Sequence, residues 1–589
     1  MVAMTAQLVH AARLDELQET GVRVVHLGGR TIALFSHQEA IYAVENRCPH
    51  MGFPLHRGTV KDGILTCHWH HARFDIASGG TFDQWADDVL AFPVELRGDE
   101  IWVDLAPGGD PRAHQRERLQ VGLERNLSLV IAKAVILLLD QGDTPVAPFR
   151  IGLDFGTHYR RAGWGQGLTM LGCFLNLDPQ LDPADRTRAL YHGLAAVARD
   201  CDGMAPRFGV RPLPTTETAG PTLKRWFRRF IEVRDAEGAE RCIVSAVRAG
   251  LDGAELADLL FAAVTDHRYI TVGHPADFTN KALEALDAVG WERETTEAAL
   301  ASLARGYAEA TRMEEANTWR NPVDLIALLE PAFAELPAAL AAGRDQAGAW
   351  TGQDALLPVI LGEDPAASVA GLLATLRGGC SPTGLAELVA YAAALRIARF
   401  HISNEFGDWD AALHTFTFAN AIHQGLRRAP SPELLRGVFD AAMSVYLDRF
   451  LNIPAARLPE SRDTATPADP DALLATLADL LDRQQQVNEA GELVAAYLFG
   501  GGDPDRLIAT LGRLLLREDR DFHTIQMIEA AFRQQKLLRN SPAAQMHVLV
   551  AAVRYLAAHA PTMRKQEQTW RIAFRLHHGE SLFETSTST

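Results

Sequence analysis

RCPHMGFPLHRGTVKDGILTCHWHHARFDI, residues 47–76, places two cysteines and five histidines in one short stretch near the N-terminus. The whole chain has only 6 cysteines in 589 residues, too few for a disulfide scaffold. Spacing divides the stretch in two. Cys48-Pro49-His50 is a C-x-H pair, Cys67-His68-Trp69-His70 is a C-x-x-H pair, and 16 residues separate His50 from Cys67. Two thiolates and two imidazoles make a four-ligand set. Zinc takes such a set, and so does an iron–sulfur centre in which two histidines replace two cysteines on one of two irons. The second kind needs a Cys and a His from each of two facing loops, and each half here supplies one of each.

Residues 48–80, from CPHMG through CHWHHARFDIASGG, resemble the cluster-binding loops of Rieske [2Fe–2S] proteins. The resemblance implies that Cys48 and Cys67 bind one iron and His50 and His70 the other, with His68 and His71 outside the ligand set. Respiratory-type members add a disulfide cysteine in each loop and a serine after the second histidine. Here Phe53, Trp69 and Ala72 stand at those places, so the chain is similar to the ferredoxin and oxygenase type. That type is expected toward the low end of the Rieske range of about −150 to +300 mV. His71 departs from the pattern, which usually has glycine there.

The flanking sequence predicts the fold class: multidomain, a small antiparallel all-β domain followed by a large all-α domain. VRVVHL, TIALFSH, AIYAVEN, GILTC, ARFDI, LAFPVEL and EIWVDL are short, β-branched or aromatic runs punctuated by Gly-Gly, Asp-Gly and Gly-Asp turns. The β pattern closes at Ala106-Pro107-Gly108-Gly109-Asp110-Pro111, a breaker-rich linker. Beyond it the composition turns to Ala, Leu, Arg and Glu with apolar positions three and four apart, as in TGLAELVAYAAALRIARFH and PDALLATLADLLDRQ. Pro/Thr-rich stretches at 205–222 and 453–470 separate helical blocks. The expected organisation is therefore residues 1–106 as the β domain, 107–149 as linker and connecting helix, and 150–589 as the α-helical domain.

Several classes are set aside. A net charge of −17 with no basic block argues against nucleic acid and anionic membrane partners. The start, MVAMTAQLVHAARL, lacks a basic n-region and an apolar h-region, and LSLVIAKAVILLLD, interrupted by Lys133, is too short to span a bilayer. Few cysteines and an iron–sulfur site suit a reducing cytoplasm. The D-x2-H-x4-H iron motif of ring-hydroxylating oxygenases is absent.

A one-electron centre needs a destination, and the helical half offers candidates. His158 follows Thr157, a candidate N-cap; His274 precedes Pro275, which favours the first helical position; His523 lies two residues after Asp521, another N-cap candidate. The positive end of a helix dipole favours the neutral, metal-binding imidazole. His267, His414 and His423 lie in HRYITVGH and HTFTFANAIHQGL, where His414 and His423 are expected on opposite helix faces; His401 with Glu405 is a competing i, i+4 pair, and His192 is the least committed. From about residue 150 to 540 the chain also resembles the questin oxidase-like family, which is helical and includes non-haem iron oxygenases acting on polycyclic quinones. That resemblance implies metal ligands among His158, His267 or His274, His414 and His523. Some members carry a carboxylated lysine; Gln526 stands where it is expected, with Lys281 as a spare candidate.

The combined expectation is a Rieske-containing non-haem iron oxygenase. A ferredoxin or flavin reductase reduces the [2Fe–2S] cluster, which passes electrons to a mononuclear Fe(II) acting with O₂ on a small organic, aromatic or polycyclic substrate. The alternative readings are a Rieske electron carrier or redox sensor on a helical interaction scaffold. Homo-oligomerisation is compatible with each.

Overall fold

Gly28-Gly29, Asp62-Gly63 and Gly98-Asp99 each close a two-residue hairpin, joining strands whose last and first residues pair as Leu27 with Arg30, Lys61 with Ile64 and Arg97 with Glu100. Gly28 and Gly29 have φ of 54° and 79°, the left-handed pair that matches the right-handed twist of the flanking strands. The computed structural model describes residues 7–106, 110–215, 218–346, 348, 350–460, 469–580 and 582. Residues 107–109 of the linker, and 216–217 and 461–468 of the two Pro/Thr-rich stretches, lie outside the described residues.

The strands are β1 (Leu8–Arg13), β2 (Val22–Leu27), β3 (Arg30–His37), β4 (Ala40–Glu45), β5 (Thr59–Lys61), β6 (Ile64–Thr66), β7 (Arg73–Asp75), β8 (Ala91–Phe92), β9 (Val94–Arg97) and β10 (Glu100–Asp104). They form three antiparallel sheets in the orders β1-β10-β9, β2-β3-β4-β8 and β5-β6-β7. Strand β1 and the short helix Leu14–Thr20 have no counterpart among the runs read from sequence; LVHAAR carries a β-bulge between His10 and Ala12, which breaks its alternation. Two cores result. Ala12, Leu17, Ile32, Leu34, Ile101 and Val103 fill one. The other, with Phe35, Val44, Leu65, Phe74 and Ile76, also takes in Cys48 and Cys67.

The fold class is as expected: the β sheets are followed by helices from Pro111 to His577, with no strand among the described residues there. The chain divides into two compact units, Met1–Pro148 with Gln568–Thr589, and Phe149–Glu567. The first therefore reaches well past residue 106. Helices Pro111–Glu124 and Ser128–Asp140 pack on each other and are tied to the β loops. Arg118 donates to the carbonyl of Ala86 (2.8 Å) and pairs with Asp87 (3.0 Å). Lys133, which interrupts an otherwise apolar helix, donates to the carbonyl of Pro49 at 2.6 Å.

In the second unit Gly167 permits close packing of helix Gln166–Leu177 on Pro183–Cys201, since a Cβ there would lie 2.7 Å from the Ala196 carbonyl oxygen and 2.8 Å from Val197 Cα. One helical stretch, Leu325–Gln346, is long and apolar enough to cross a membrane by length and composition, with a mean hydropathy of 1.6. Glu330 and Glu335 interrupt its apolar run, which is why LSLVIAKAVILLLD reads as the longest in the sequence. It packs against helix Pro365–Arg377.

The two loops that carry the Cys/His pairs are built alike. Cys48 N–H donates to Phe53 and Gly52 N–H to Cys48. Cys67 N–H donates to Ala72 and His71 N–H to Cys67. Each loop needs a left-handed residue before its closing position: Gly52 with φ 82° and His71 with φ 62°. At Gly52 a Cβ would also meet Leu576 at 3.1 Å and Arg47 at 3.2 Å. His71 is exposed and pays in conformational energy, about 1–2 kcal/mol for an L residue in this region, partly offset because glycine is more costly to order. Replacing His71 with Gly should raise stability by about 0.5–1 kcal/mol, while His71→Ala should give no gain; thermal denaturation of the cluster-loaded chain checks both, and a Gly variant less stable than the Ala variant would refute the strain.

Candidate functional site

In the β unit the loop pattern turns both thiols into one buried space. Cys48 and Cys67 are 3% and 1% exposed and hydrogen-bond each other. Each sulfur also accepts from backbone amides of its own loop, those of His50 and Met51 for Cys48 and those of Trp69 and His70 for Cys67. These donors favour anionic sulfur. The bond to Cys67 and burial push the Cys48 thiol up, while the bond to Cys48 and the Trp69 and His70 amides hold the Cys67 thiol down. The imidazoles complete the set: the His50 and His70 rings sit edge to face with centroids 5.0 Å apart. Burial, aided by Lys133 and His70, pushes His50 down to about 4, so it is neutral at pH 7. Its Nδ1 is buried with no hydrogen-bond partner among the described residues, which leaves an electron-pair donor unsatisfied.

Environments differ on the two sides. Around His50 stand Trp85, with ring centroids 4.7 Å apart, and Lys133. His70 is exposed, as are His68 and His71. His68 turns to Thr59 Oγ1 at 3.3 Å. Two buried thiols and two imidazoles, one with an orphaned buried nitrogen, fit a [2Fe–2S] cluster with mixed ligation.

The comparisons agree. A family model described as the Rieske [2Fe-2S] domain matches residues 7–89. Residues 7–89 form a Rieske domain. A ferredoxin component of a naphthalene 1,2-dioxygenase system from Pseudomonas aeruginosa is 28% identical over 104 residues, covering 18% of this chain and 100% of the relative. A 4beta-methylsterol monooxygenase from Methylococcus capsulatus is 37% identical over 76 residues, 13% of this chain and only 21% of that protein. Among solved structures, the ferredoxin of carbazole 1,9a-dioxygenase from Nocardioides aromaticivorans matches at 26% identity with a TM-score of 0.16, covering 16% of this chain and 96% of its own. A Rieske domain is an electron-transfer module.

In the helical unit three of the sequence candidates converge. One ligand atom from each of His274, His414 and His523 lies within 4.8 Å of the other two. His414 Nε2 and His523 Nε2 are 3.1 Å apart, and the His274 ring centroid is 4.7 Å from that of His414 and 5.7 Å from that of His523. Three helices bring them together: His274–Val289, Phe406–Arg428 and Phe522–Leu537. Gly273, with φ 91°, turns the chain so that His274-Pro275 opens its helix. Asp521 caps the third helix by accepting from Thr524 N–H at 3.0 Å. His274 and His523 thus lie in the first turns of their helices.

Burial lowers His414 to about 3 with help from His274 and His523, and lowers His274 to about 4 with help from His523. Both are neutral at pH 7. The His414 ring is oriented by its bond to the Asp410 carbonyl. The Asp410 carboxylate accepts from Tyr555 hydroxyl at 2.9 Å and lies 3.8 Å from His523 Nδ1. It is a carboxylate behind a ligand-type histidine, the arrangement that commonly orients metal-binding rings. Phe278 and Phe522 flank the group, each with its ring centroid 5.5 Å from that of His274. Neutral imidazoles at this separation suit iron, zinc, copper or nickel.

Other candidates lie elsewhere. His158 ends helix Val146–His158 instead of opening one, bonds to the Asp154 carbonyl at 2.7 Å and is exposed; the Arg160–Gly165 loop, with Gly163 at φ 84°, delays the next helix to Gln166. His267 pairs with Glu314 at 2.6 Å and Glu232 at 2.9 Å. His423 faces Gln534 Oε1 at 3.3 Å, on the face opposite His414 as the helical period requires. His401 and Glu405 do not form a helical i, i+4 pair, because the helix begins only at Phe406 and the Glu405 N–H is capped by Asp408 at 2.9 Å. His192 is 4% exposed and packs edge-on to Phe174 and Tyr191. Lys281 is fully buried between Glu529 at 2.7 Å and Glu284 at 3.2 Å. Burial opposes its charge, but Glu284 and Glu529 outweigh it and raise its pKa; a protonated ammonium is not a nucleophile toward CO₂. Gln526 bonds to Asp277.

Asp410 and Tyr555 carry no motif that marks them in the sequence. Only the placement of Asp410 one turn before His414 hints at its role.

Cys48→Ser, Cys67→Ser, His50→Ala and His70→Ala should each abolish the electron paramagnetic resonance signal of the reduced centre, with iron falling by about two per chain. His68→Ala should retain both. Retention of the signal in His70→Ala together with its loss in His68→Ala would overturn this ligand set.

Proposed function

We propose that the chain is a Rieske-containing non-haem iron oxygenase, in which Cys48, His50, Cys67 and His70 hold the [2Fe–2S] cluster and His274, His414 and His523 hold one Fe(II). The observation that carries the reading is the convergence of those three histidines, separated by up to 249 positions in sequence, on one space in the helical unit. Relatives of the Rieske domain in dioxygenase and monooxygenase systems support it.

An iron held there would supply the oxygen chemistry, which amino-acid side chains cannot. The residues have three tasks. The neutral rings of His274 and His414 present electron pairs without a proton to displace at pH 7. Asp410, fixed by Tyr555, stands within ion-pair distance of His523 and orients it. Phe278 and Phe522 line the group with apolar surface, which limits water and strengthens the electrostatics inside. Among the described residues no carboxylate joins His274, His414 and His523 in this group, so three imidazoles would hold the iron and the iron would supply the binding of O₂. The reductant is a ferredoxin or flavin reductase delivering single electrons to the Rieske domain, and the substrate is a small organic molecule of aromatic or polycyclic type.

Anaerobic loading with Fe(II) tests the reading. The wild-type chain should hold one iron beyond the two of the cluster, and His414→Ala or His523→Ala should lose that one while the cluster signal is unchanged. His158→Ala and His267→Ala should keep it. Equal iron content in wild type and His414→Ala would remove the oxygenase reading and favour an electron carrier or redox sensor on a helical scaffold.

A further inference from the structure

Lys133 is a charged residue in the middle of SLVIAKAVILLLD, a helix otherwise so apolar that Val130, Ile131, Ala132, Ala134, Val135, Ile136 and Leu138 are all buried. Its ammonium does not reach out to solvent-exposed acids. It donates to the backbone carbonyls of Pro49 and His50, the two residues after Cys48 in the first ligand loop. Asp87, the carboxylate that acts on it most strongly, is itself engaged by Arg118 at 3.0 Å and His114 at 3.1 Å. The ammonium is therefore seated on the loop's carbonyls and not on a surface acid.

The helix is an addition to the bare fold. A dioxygenase-system ferredoxin is matched over 100% of its length by 104 residues, whereas Lys133 lies beyond the last strand, which ends at Asp104. The C-terminal residues envelop the same loop: Arg47 donates to the Glu580 carbonyl at 3.1 Å, and Leu576 fills the space beside Gly52. In the second loop His68, His70 and His71 are exposed. The His50 side is thus half-buried and faces a cation, and His70 is exposed.

We propose that Lys133 is a positioning and potential-tuning residue, whose charge, seated on the Pro49 and His50 carbonyls, raises the reduction potential of the Rieske cluster above that of the helix-free domain. Reduction adds one electron and no proton, so the cluster and its loop become more negative by one unit. A fixed cation against the loop stabilises the reduced form more than the oxidised form, and does so most where water is excluded. Such outer interactions are among the levers by which proteins set cluster potentials. The inference rests on the Rieske domain alone and stands whether or not the helical histidines hold iron.

The test is a dye-mediated redox titration of the full-length, cluster-loaded chain, followed by electron paramagnetic resonance, with iron and sulfide assayed alongside. Lys133→Met should leave cluster content unchanged and favour oxidation at least tenfold, a midpoint lower by about 59 mV for a one-electron couple. Lys133→Gln, which keeps an N–H donor for the carbonyls but no charge, should fall nearly as far. Lys133→Arg, which keeps the charge, should stay within threefold of wild type. If Lys133→Met does not assemble a cluster, Lys133→Gln decides. A loaded Lys133→Gln chain at the wild-type potential would overturn the proposal, as would a Lys133→Arg chain that falls as far as the neutral variants. Loss of the cluster from all three would also overturn it, since Lys133 would then be a structural support only.

Discussion

His414 and His523 face each other nitrogen to nitrogen across 3.1 Å, with His274 closing the group. Three protonated rings cannot share such a space. Burial and mutual repulsion hold His274 at about 4, a bias on the order of 3 kcal/mol against charging it relative to an ordinary histidine. Neutral rings must then find something for their lone pairs. Water or a neighbour's N–H can serve one or two of them, but a cation serves all three at once. The same constraint acts in the β unit, where His50 is lowered to about 4 and keeps a buried, unpartnered Nδ1. In both units burial keeps histidine rings uncharged, His274 and His414 in one and His50 in the other.

The scaffold around each group differs in kind. The β site is made by short-range geometry: two loops of like hydrogen bonding, each turned by a left-handed residue, Gly52 and His71. The helical site is made by packing, since its three histidines come from helices whose register is set elsewhere. Lys281 on the His274 helix bonds to Glu529 on the His523 helix at 2.7 Å, and Gln526 bonds to Asp277 between the same two helices. Breaking a buried pair of this kind by removing one partner costs about 3–5 kcal/mol. Lys281 and Gln526 therefore belong to the support of the site, not to its ligands.

That contrast explains what could be read from the sequence. Cys48, His50, Cys67 and His70 lie within one stretch, so spacing alone narrowed the chemistry, and the glycine-bearing dipeptides announced three hairpins. Strand β1 escaped because its bulge spoils the alternation, and the extent of the first unit escaped because Lys133 and Arg118 look like ordinary surface cations until their carbonyl partners are seen. In the helical unit, cap signals located His274 and His523 in first turns, where they are found. The same logic misplaced His158, because Thr157 bonds to the Leu153 carbonyl inside a helix that is ending. His267 was drawn in by proximity to His274, but Gly273 separates them and two glutamates claim its ring. No local signal says which distant helices will meet; that information is in the packing.

On the proposed function one chain carries both a Rieske cluster and a separate iron on three histidines. Mössbauer spectroscopy of the anaerobically reduced, iron-57-loaded full-length protein tests it most directly, because it counts iron by environment and not by activity. The account predicts a high-spin ferrous component with nitrogen and oxygen ligation carrying about one third of the absorption, one iron beside the two of the cluster. That component should be missing from His414→Ala. A spectrum in which the cluster accounts for all the iron under the same loading would contradict it.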